Sequence, residues 1–179
     1  MTPEFTISEW RNDGSRTGPE LDMLAEVLHA VVHDGASVSF ILPFSIDDAR
    51  RFWTDKVLPG VASGSRRLLV AHSGGKIVGT VQLELAGQPN QEHRAEVVKL
   101  LVHPEARRRG IARALMGALE DLARSAQRTL LTLDTRTGDR AEPLYLSMGY
   151  IPVGQIPRFA RGPHSPKLEA TSIFYKELA

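Results

Sequence analysis

The sequence predicts an α/β (α+β) fold with one mixed sheet and helices on both faces, and three observations carry that expectation. The apolar period changes from 3.6 to 2 near Arg67, and helical and strand-like segments alternate from there on. The length of 179 residues, with 42% hydrophobic and 24% charged, suits one core. A single domain over residues 1–179 is expected.

Residues 5–10 can form a short strand, and Asn12 to Pro19 reads as a polar, Gly-containing turn. From Leu21 on, Leu24, Ala25, Leu28, Val31 and Val32 recur at helical spacing, and Gly35 supplies a left-handed stop. Gly35 to Val38 is a loop of small residues. Ser45 can cap a second helix with Asp47 and Asp48 in its first turn, and Pro59 and Gly60 should end it near Val57. Arg67 to Ala71 and Lys76 to Leu85 read as strands joined by the tight turn Ser73-Gly74-Gly75, an antiparallel hairpin. Arg94 to Val102 is a third strand, ended by Pro104. Residues 110–124 make the best helix, with Ile111, Leu115, Ala118, Leu119 and Leu122 on one face. Thr129 to Thr135 is strand-like, and Ala141 to Met148 is a short helix ended by Gly149. Strands at 150–155 and 170–178 flank a Pro- and Gly-rich loop.

Composition removes several function classes. The chain has no cysteine, which excludes disulfides, thiolate metal sites and a cysteine acyl-enzyme. A net charge of +1 offers no global attraction to nucleic acid or membrane. No stretch approaches the ~18 apolar residues that span a bilayer. Met1 to Trp10 lacks a basic segment followed by an apolar run, so no signal peptide is expected and the expected compartment is the cytoplasm. His33, His103 and His164 share no ligand spacing, and no metal is expected.

The chemistry concentrates between the third strand and the long helix, at Arg107-Arg108-Arg109-Gly110-Ile111-Ala112. Gly110 permits a tight turn, Ala112 lets a ligand approach the main chain, and the first helical amides have no intrahelical partners. Amides and helix dipole together suit a pyrophosphate, with arginines for further phosphates. A basic triplet alone reads as a solvated run. Preceded by a strand and His-Pro, and followed by an amphipathic helix, it reads as an anion site.

This region resembles the GCN5-related N-acetyltransferase (GNAT) superfamily. The segment from Val97 to Met116 is similar to its strand, loop and helix, and Tyr145 in Pro143-Leu-Tyr-Leu-Ser-Met-Gly-Tyr150 matches its second motif. The resemblance implies the GNAT fold, a mostly antiparallel, twisted sheet of six to seven strands. It also implies acetyl-CoA as co-substrate. Leu100, Leu101 and Val102 would hold the pantetheine arm through their backbone, and an amide near Leu100 would polarise the thioester carbonyl. Arg107, Arg108, Arg109, Gly110, Ile111, Ala112 and Arg113 would bind the phosphates. A closer resemblance, to tabtoxin-resistance acetyltransferases, rests on His33-Asp-Gly-Ala-Ser-Val38, Arg94-Ala-Glu-Val97, Leu133-Asp-Thr135 and Thr171-Ser-Ile-Phe-Tyr-Lys176.

Glu96 and Asp134 are conspicuous carboxylates on otherwise apolar strands, and the closer resemblance implies that both take part in catalysis. Either can remove the acceptor's proton, directly or through water. The plainer alternatives are an exposed strand-edge Glu96 and an Asp134 paired with an arginine. Tyr145 would protonate the leaving thiolate or only orient the sulfur. The expected reaction is direct transfer to the amine of an amino-acid- or dipeptide-like small molecule. A β-lactam-type toxin is one such acceptor, which would make the activity one of antibiotic resistance. The acceptor site should be walled by the first helices, the Gly35–Val38 loop and the final strands. The rival is a non-catalytic acyl-CoA-binding sensor or interaction module. A nucleic-acid role lacks a wider basic face. Alternation in the final strands leaves a homodimer open.

Overall fold

The computed structural model describes residues 4–11 and 17–179. Its strands are β1 (Thr6–Glu9), β2 (Arg66–Ser73), β3 (Lys76–Leu85), β4 (Arg94–Val102), β5 (Leu130–Arg136), β6 (Ile151–Arg161) and β7 (Leu168–Glu177). Its α-helices are α1 (Thr17–His33), α2 (Ile46–Phe52), α3 (Leu58–Ser63), α4 (Ile111–Ser125) and α5 (Glu142–Ser147). The strands form one seven-stranded sheet in the order β1-β2-β3-β4-β5-β7-β6, antiparallel except between β4 and β5. The helix α4 makes the crossover between those two parallel strands.

Strand periodicity divides the core between the two faces. On β2, Leu69 and Ala71 point to the α4 side, while Leu68 and Val70 point to the α1 and α2 side. Helix α4 lays Ile111, Leu115, Met116, Leu119 and Ala123 against the first of these faces. Its close approach depends on Gly79: a Cβ there would stand 3.0 Å from the Leu101 carbonyl oxygen and 3.2 Å from both Ile111 and Leu115. On the other face, Trp53 is fully buried and donates its indole N–H to the Leu24 carbonyl at 2.9 Å, tying the second helical segment to α1.

The expected hairpin is present, with Gly74 and Gly75 both at positive φ (57° and 76°), as a two-residue primed turn requires. Ser45 caps α2 through a reciprocal bond pair with Asp48.

Three boundaries differ from expectation. Residues 12–16 of the expected turn lie outside the described residues, and Thr17–Pro19 begin α1 instead. Pro19 sits in the first turn, where a missing N–H loses no bond. The second helical segment does not stop at Pro59 and Gly60. It widens into a π turn over Trp53–Val57, where the Leu58 N–H bonds to the Trp53 carbonyl, and Pro59 then falls in the opening turn of α3. The segment ends at Gly64, at φ 77°. The last two strands are longer than expected: β6 runs to Arg161, arched between Ile156 and Ala160, and β7 begins at Leu168. Strand β6 is an exposed edge that bares Ile151, Val153, Ile156 and Phe159. No helix among the described residues is long and apolar enough to cross a membrane.

Trp53→Ala removes the largest fully buried side chain and its bond to Leu24. It should lower unfolding free energy by about 3–5 kcal/mol, read by denaturant titration. A loss below about 1 kcal/mol would mean that the α1–α2 face carries little of the stability.

Candidate active site

The sheet opens where β4 and β5 part. Only Arg94, Ala95 and Glu96 of β4 have partners on β5, namely Leu130, Leu131 and Thr132. Beyond them β5 continues with β7, while β4 stays with β3 but bulges. Val98 pairs with Gln82 and Leu101 with Thr80, so Lys99 and Leu100 together oppose the single residue Val81. Lys99 takes a left-handed φ of 53°, and the Thr80 hydroxyl donates to its carbonyl at 3.2 Å. A cleft of about 940 Å³ fills the gap. Its walls are residues 34–39 after α1, β4 from Val97 to Val102, Asp134–Arg136 of β5, Tyr145 of α5, and the 159–161 and 169–171 stretches of the last two strands. Of the expected acceptor walls, the Gly35–Val38 loop and the final strands are among these, whereas of the first helices only Val31 of α1 reaches the cleft.

At one end the cleft meets the start of α4. Gly110 caps the helix at φ 80°, a conformation that any side chain would strain, and no side chain caps it. Among the described residues, the backbone N–H groups of Ile111, Ala112 and Arg113 have no backbone acceptor. The three arginines before them separate. Arg107 donates to the Val102 carbonyl at 3.3 Å and pairs with Asp34, holding that carboxyl below its usual range. Arg109 turns away from the cleft to Ser73 (2.9 Å) and Glu4 (2.9 Å). Arg108 is exposed, lines the cleft at a left-handed φ of 65°, and has no ion pair among the described residues. Arg113 donates to the Ser147 hydroxyl at 2.6 Å. The expected triple cluster of phosphate-facing guanidinium groups thus reduces to one free arginine.

Glu96 lies on β4 just before the Val97–Val102 stretch that lines the cleft and is not itself in that lining. It is half-buried and makes no hydrogen bond or ion pair among the described residues, so it is not a plain exposed edge residue. Burial, then the like charges of Glu84 and Asp134, push its pKa above the usual 4.5. Glu84 stands directly opposite it on β3. Asp134 is exposed on the cleft wall and pairs with no arginine among the described residues; it accepts from the Thr171 hydroxyl at 2.7 Å. Tyr145 is buried beside the rings of Tyr150 and Phe174, and it lines the cleft. Burial, then Asp139 and Asp134, raises its pKa, so the phenol stays protonated at neutral pH.

The acids that line the cleft besides Asp134 are engaged. Asp34 holds Arg107 and lies 3.9 Å from Arg140, and Arg136 reaches Asp139 at 3.1 Å and Glu169 at 3.5 Å. Sequence reasoning missed these pairs, because they join residues distant in the chain or separated by turns. It also missed Lys99, although a lone cation in Val-Val-Lys-Leu-Leu-Val is as conspicuous as Glu96. Burial lowers its pKa, an effect that the charges of Asp134 and Glu84 oppose and Arg66 reinforces. The three histidines have other roles: His33 and His164 bond to the carbonyls of Phe44 (2.8 Å) and His33 (3.0 Å), and His103 accepts from the Glu105 N–H. No group of three or more metal-ligating side chains occurs among the described residues.

Known proteins are similar to this chain in sequence and in fold. The profile of the acetyltransferase (GNAT) family matches residues 31–150. An uncharacterized N-acetyltransferase of Azospirillum brasilense is 32% identical over 136 residues, covering 74% of this chain and 77% of that protein. The fold is similar to that of a Salmonella typhimurium acetyltransferase solved with acetyl-CoA (TM-score 0.76, 17% identity, 98% of this chain and 95% of that one). It is also similar to a ribosomal-protein-alanine N-acetyltransferase of Brucella melitensis (TM-score 0.76, 19% identity, 97% and 99% covered).

The raised pKa of Glu96 has a consequence for stability. Its ionised form is less favourable in the fold than in the unfolded chain, so the cost is full above the raised pKa and is relieved as pH falls towards 4.5. Glu96→Gln should therefore be more stable than the parent at neutral pH, and the gain should vanish by about pH 4.5. Thermal melting across pH 4 to 8 measures this. A pH-independent difference would contradict the assignment.

Proposed function

The chain belongs to the acetyltransferase (GNAT) family, and on that premise we propose that it carries an acetyl group from acetyl-CoA directly to the amine of a small molecule held in the β4–β5 cleft. One observation supports this above the rest. The unpaired edge of β4 runs from the bulge at Lys99 and Leu100 to Val102, and the loop after it ends at the open amides of α4.

These residues suit acetyl-CoA. A pantetheine arm carries amides of its own and can add to a free strand edge, here through the backbone of Leu100, Leu101 and Val102. A pyrophosphate suits the amides of Gly110, Ile111, Ala112 and Arg113 at a helix N-terminus. Arg108 adds an exposed positive charge on the cleft wall. Arg109, whose guanidinium is engaged by Glu4 with Ser73, would contribute through its backbone, while Arg107, with its guanidinium on Asp34 and its N–H on the Pro104 carbonyl (3.4 Å), would shape the loop.

Bound acetyl-CoA supplies an activated thioester. Glu96, whose charge is poorly solvated, takes the proton from the acceptor's ammonium, directly or through water, and Asp134 adds negative charge that attracts that ammonium. Leu100, in the bulge and without a register partner on β3, lines the cleft, and its N–H would polarise the acyl carbonyl. Tyr145 keeps its proton and can hold the sulfur or protonate it as it leaves. With no cysteine in the chain no cysteine acyl-enzyme can form, and direct transfer needs no covalent intermediate. The acceptor on this reading is an amino-acid- or dipeptide-like amine, a class that includes toxins and antibiotics. The bare apolar edge of β6 is the surface a second copy would cover.

Thiol release from acetyl-CoA should accompany at least one member of a panel of amino acids, dipeptides, polyamines and aminoglycosides. Glu96→Gln should lower kcat by about 100-fold or more. The parent's kcat/KM should rise with pH along a limb above 4.5, since the base acts only when ionised, and that limb should disappear in the variant. Full turnover by both Glu96→Gln and Asp134→Asn would refute the base assignment. Arg108→Gln should weaken acetyl-CoA binding about tenfold by calorimetry, and Arg109→Gln much less. Equal losses would show that the two arginines share the phosphates.

A further inference from the structure

Acetyl transfer as described leaves the Lys99, Arg140 and Arg161 cations of the cleft wall without a task, and of these only Lys99 stands on β4. The Lys99 ammonium donates to the Ser39 hydroxyl at 3.1 Å and stands 5.8 Å from the ring centroids of both Phe40 and Phe52. No carboxylate pairs with it among the described residues. An ammonium has three donors, and Ser39 takes one.

The backbone around it is also costly. Five described non-glycine residues have positive φ, and two of them, Ser39 (79°) and Lys99 (53°), are these hydrogen-bond partners on facing walls of the cleft. Such strain persists where surrounding structure enforces it, and it gathers at binding sites. Packing does not account for the lysine. A methionine would fill the space beside Phe40 and Phe52 without desolvating a charge.

We propose that Lys99 is a specificity-determining residue that binds a carboxylate on the acceptor, while the amine of the same molecule faces Glu96 and Asp134. The inference rests on the acetyl-transfer reading of this cleft. It narrows the acceptor to amines that also carry an acid, such as amino acids and peptides with a free carboxyl end. It selects against polyamines and aminoglycosides, which would bring a second cation against the lysine. Arg136, the other cation beside Asp134 on β5, is less free to do this, being engaged by Asp139 and Glu169.

The test is calorimetric titration of the CoA-saturated protein with L-amino acids and dipeptides, each paired with its carboxamide, followed by thiol-release assays on the same pairs. The parent should bind the acid of at least one pair about tenfold or more tighter than its amide. K99M should bring that ratio close to one, and K99R should keep most of it. Should K99M fail to fold by circular dichroism, K99Q takes its place. Equal binding of acids and amides by the parent, a preference that survives in K99M, or no binding by any pair would overturn the proposal. A Lys99-dependent acid preference without thiol release would instead count against acetyl transfer and leave the anchor standing.

Discussion

After Glu96 the strands β4 and β5 stop sharing hydrogen bonds, and the use of the molecule follows from that parting. A main-chain edge inside a protein is costly unless something pairs with it. The bulge at Lys99 and Leu100 turns β4 while β3 still holds its other side, and β5 is held by β7, so neither strand can close the gap. Helix α4 spans the two strands and delivers its unpaired amides to the far end. Its position depends on Gly79, where the sheet offers hydrogen in place of a methyl group.

The charges in the cleft fall into two sets. Arg107 with Asp34, and Arg136 with Asp139 and Glu169, neutralise each other and brace the walls. Glu96, just behind the wall, and Tyr145 are different: burial favours the uncharged form of each. Amine acetylation has to strip a proton from a cation and pass charge to a sulfur. A base and an acid that resist charge favour proton movement. Asp134 is exposed on the cleft wall and accepts from the Thr171 hydroxyl.

Most of the architecture was legible because it follows local rules. The Gly-Gly hairpin, the capping Ser45, the apolar stripe of α4 and the glycine before it each have a physical signature a few residues long. What was not legible depends on tertiary packing. Pro59 looks like a stop, but a π turn ahead of it lets the chain continue as helix. Arg109 sits in a basic run yet bends to Glu4 and Ser73, residues far away in sequence. The bulge in β4 has no glycine to announce it, since Lys99 itself takes the left-handed conformation. Lys99 was in plain view as the only charge between Val97 and Val102, and its meaning depends on Ser39, sixty positions away in sequence.

The central claim is that the free edge of β4 and the open amides of α4 hold acetyl-CoA. Amide hydrogen exchange with and without acetyl-CoA tests it most directly. The account predicts slowed exchange at Leu100–Val102 and Ile111–Arg113, with little change on the exposed edge β6. Protection confined to other strands, or none at these amides despite saturating acetyl-CoA, would contradict it.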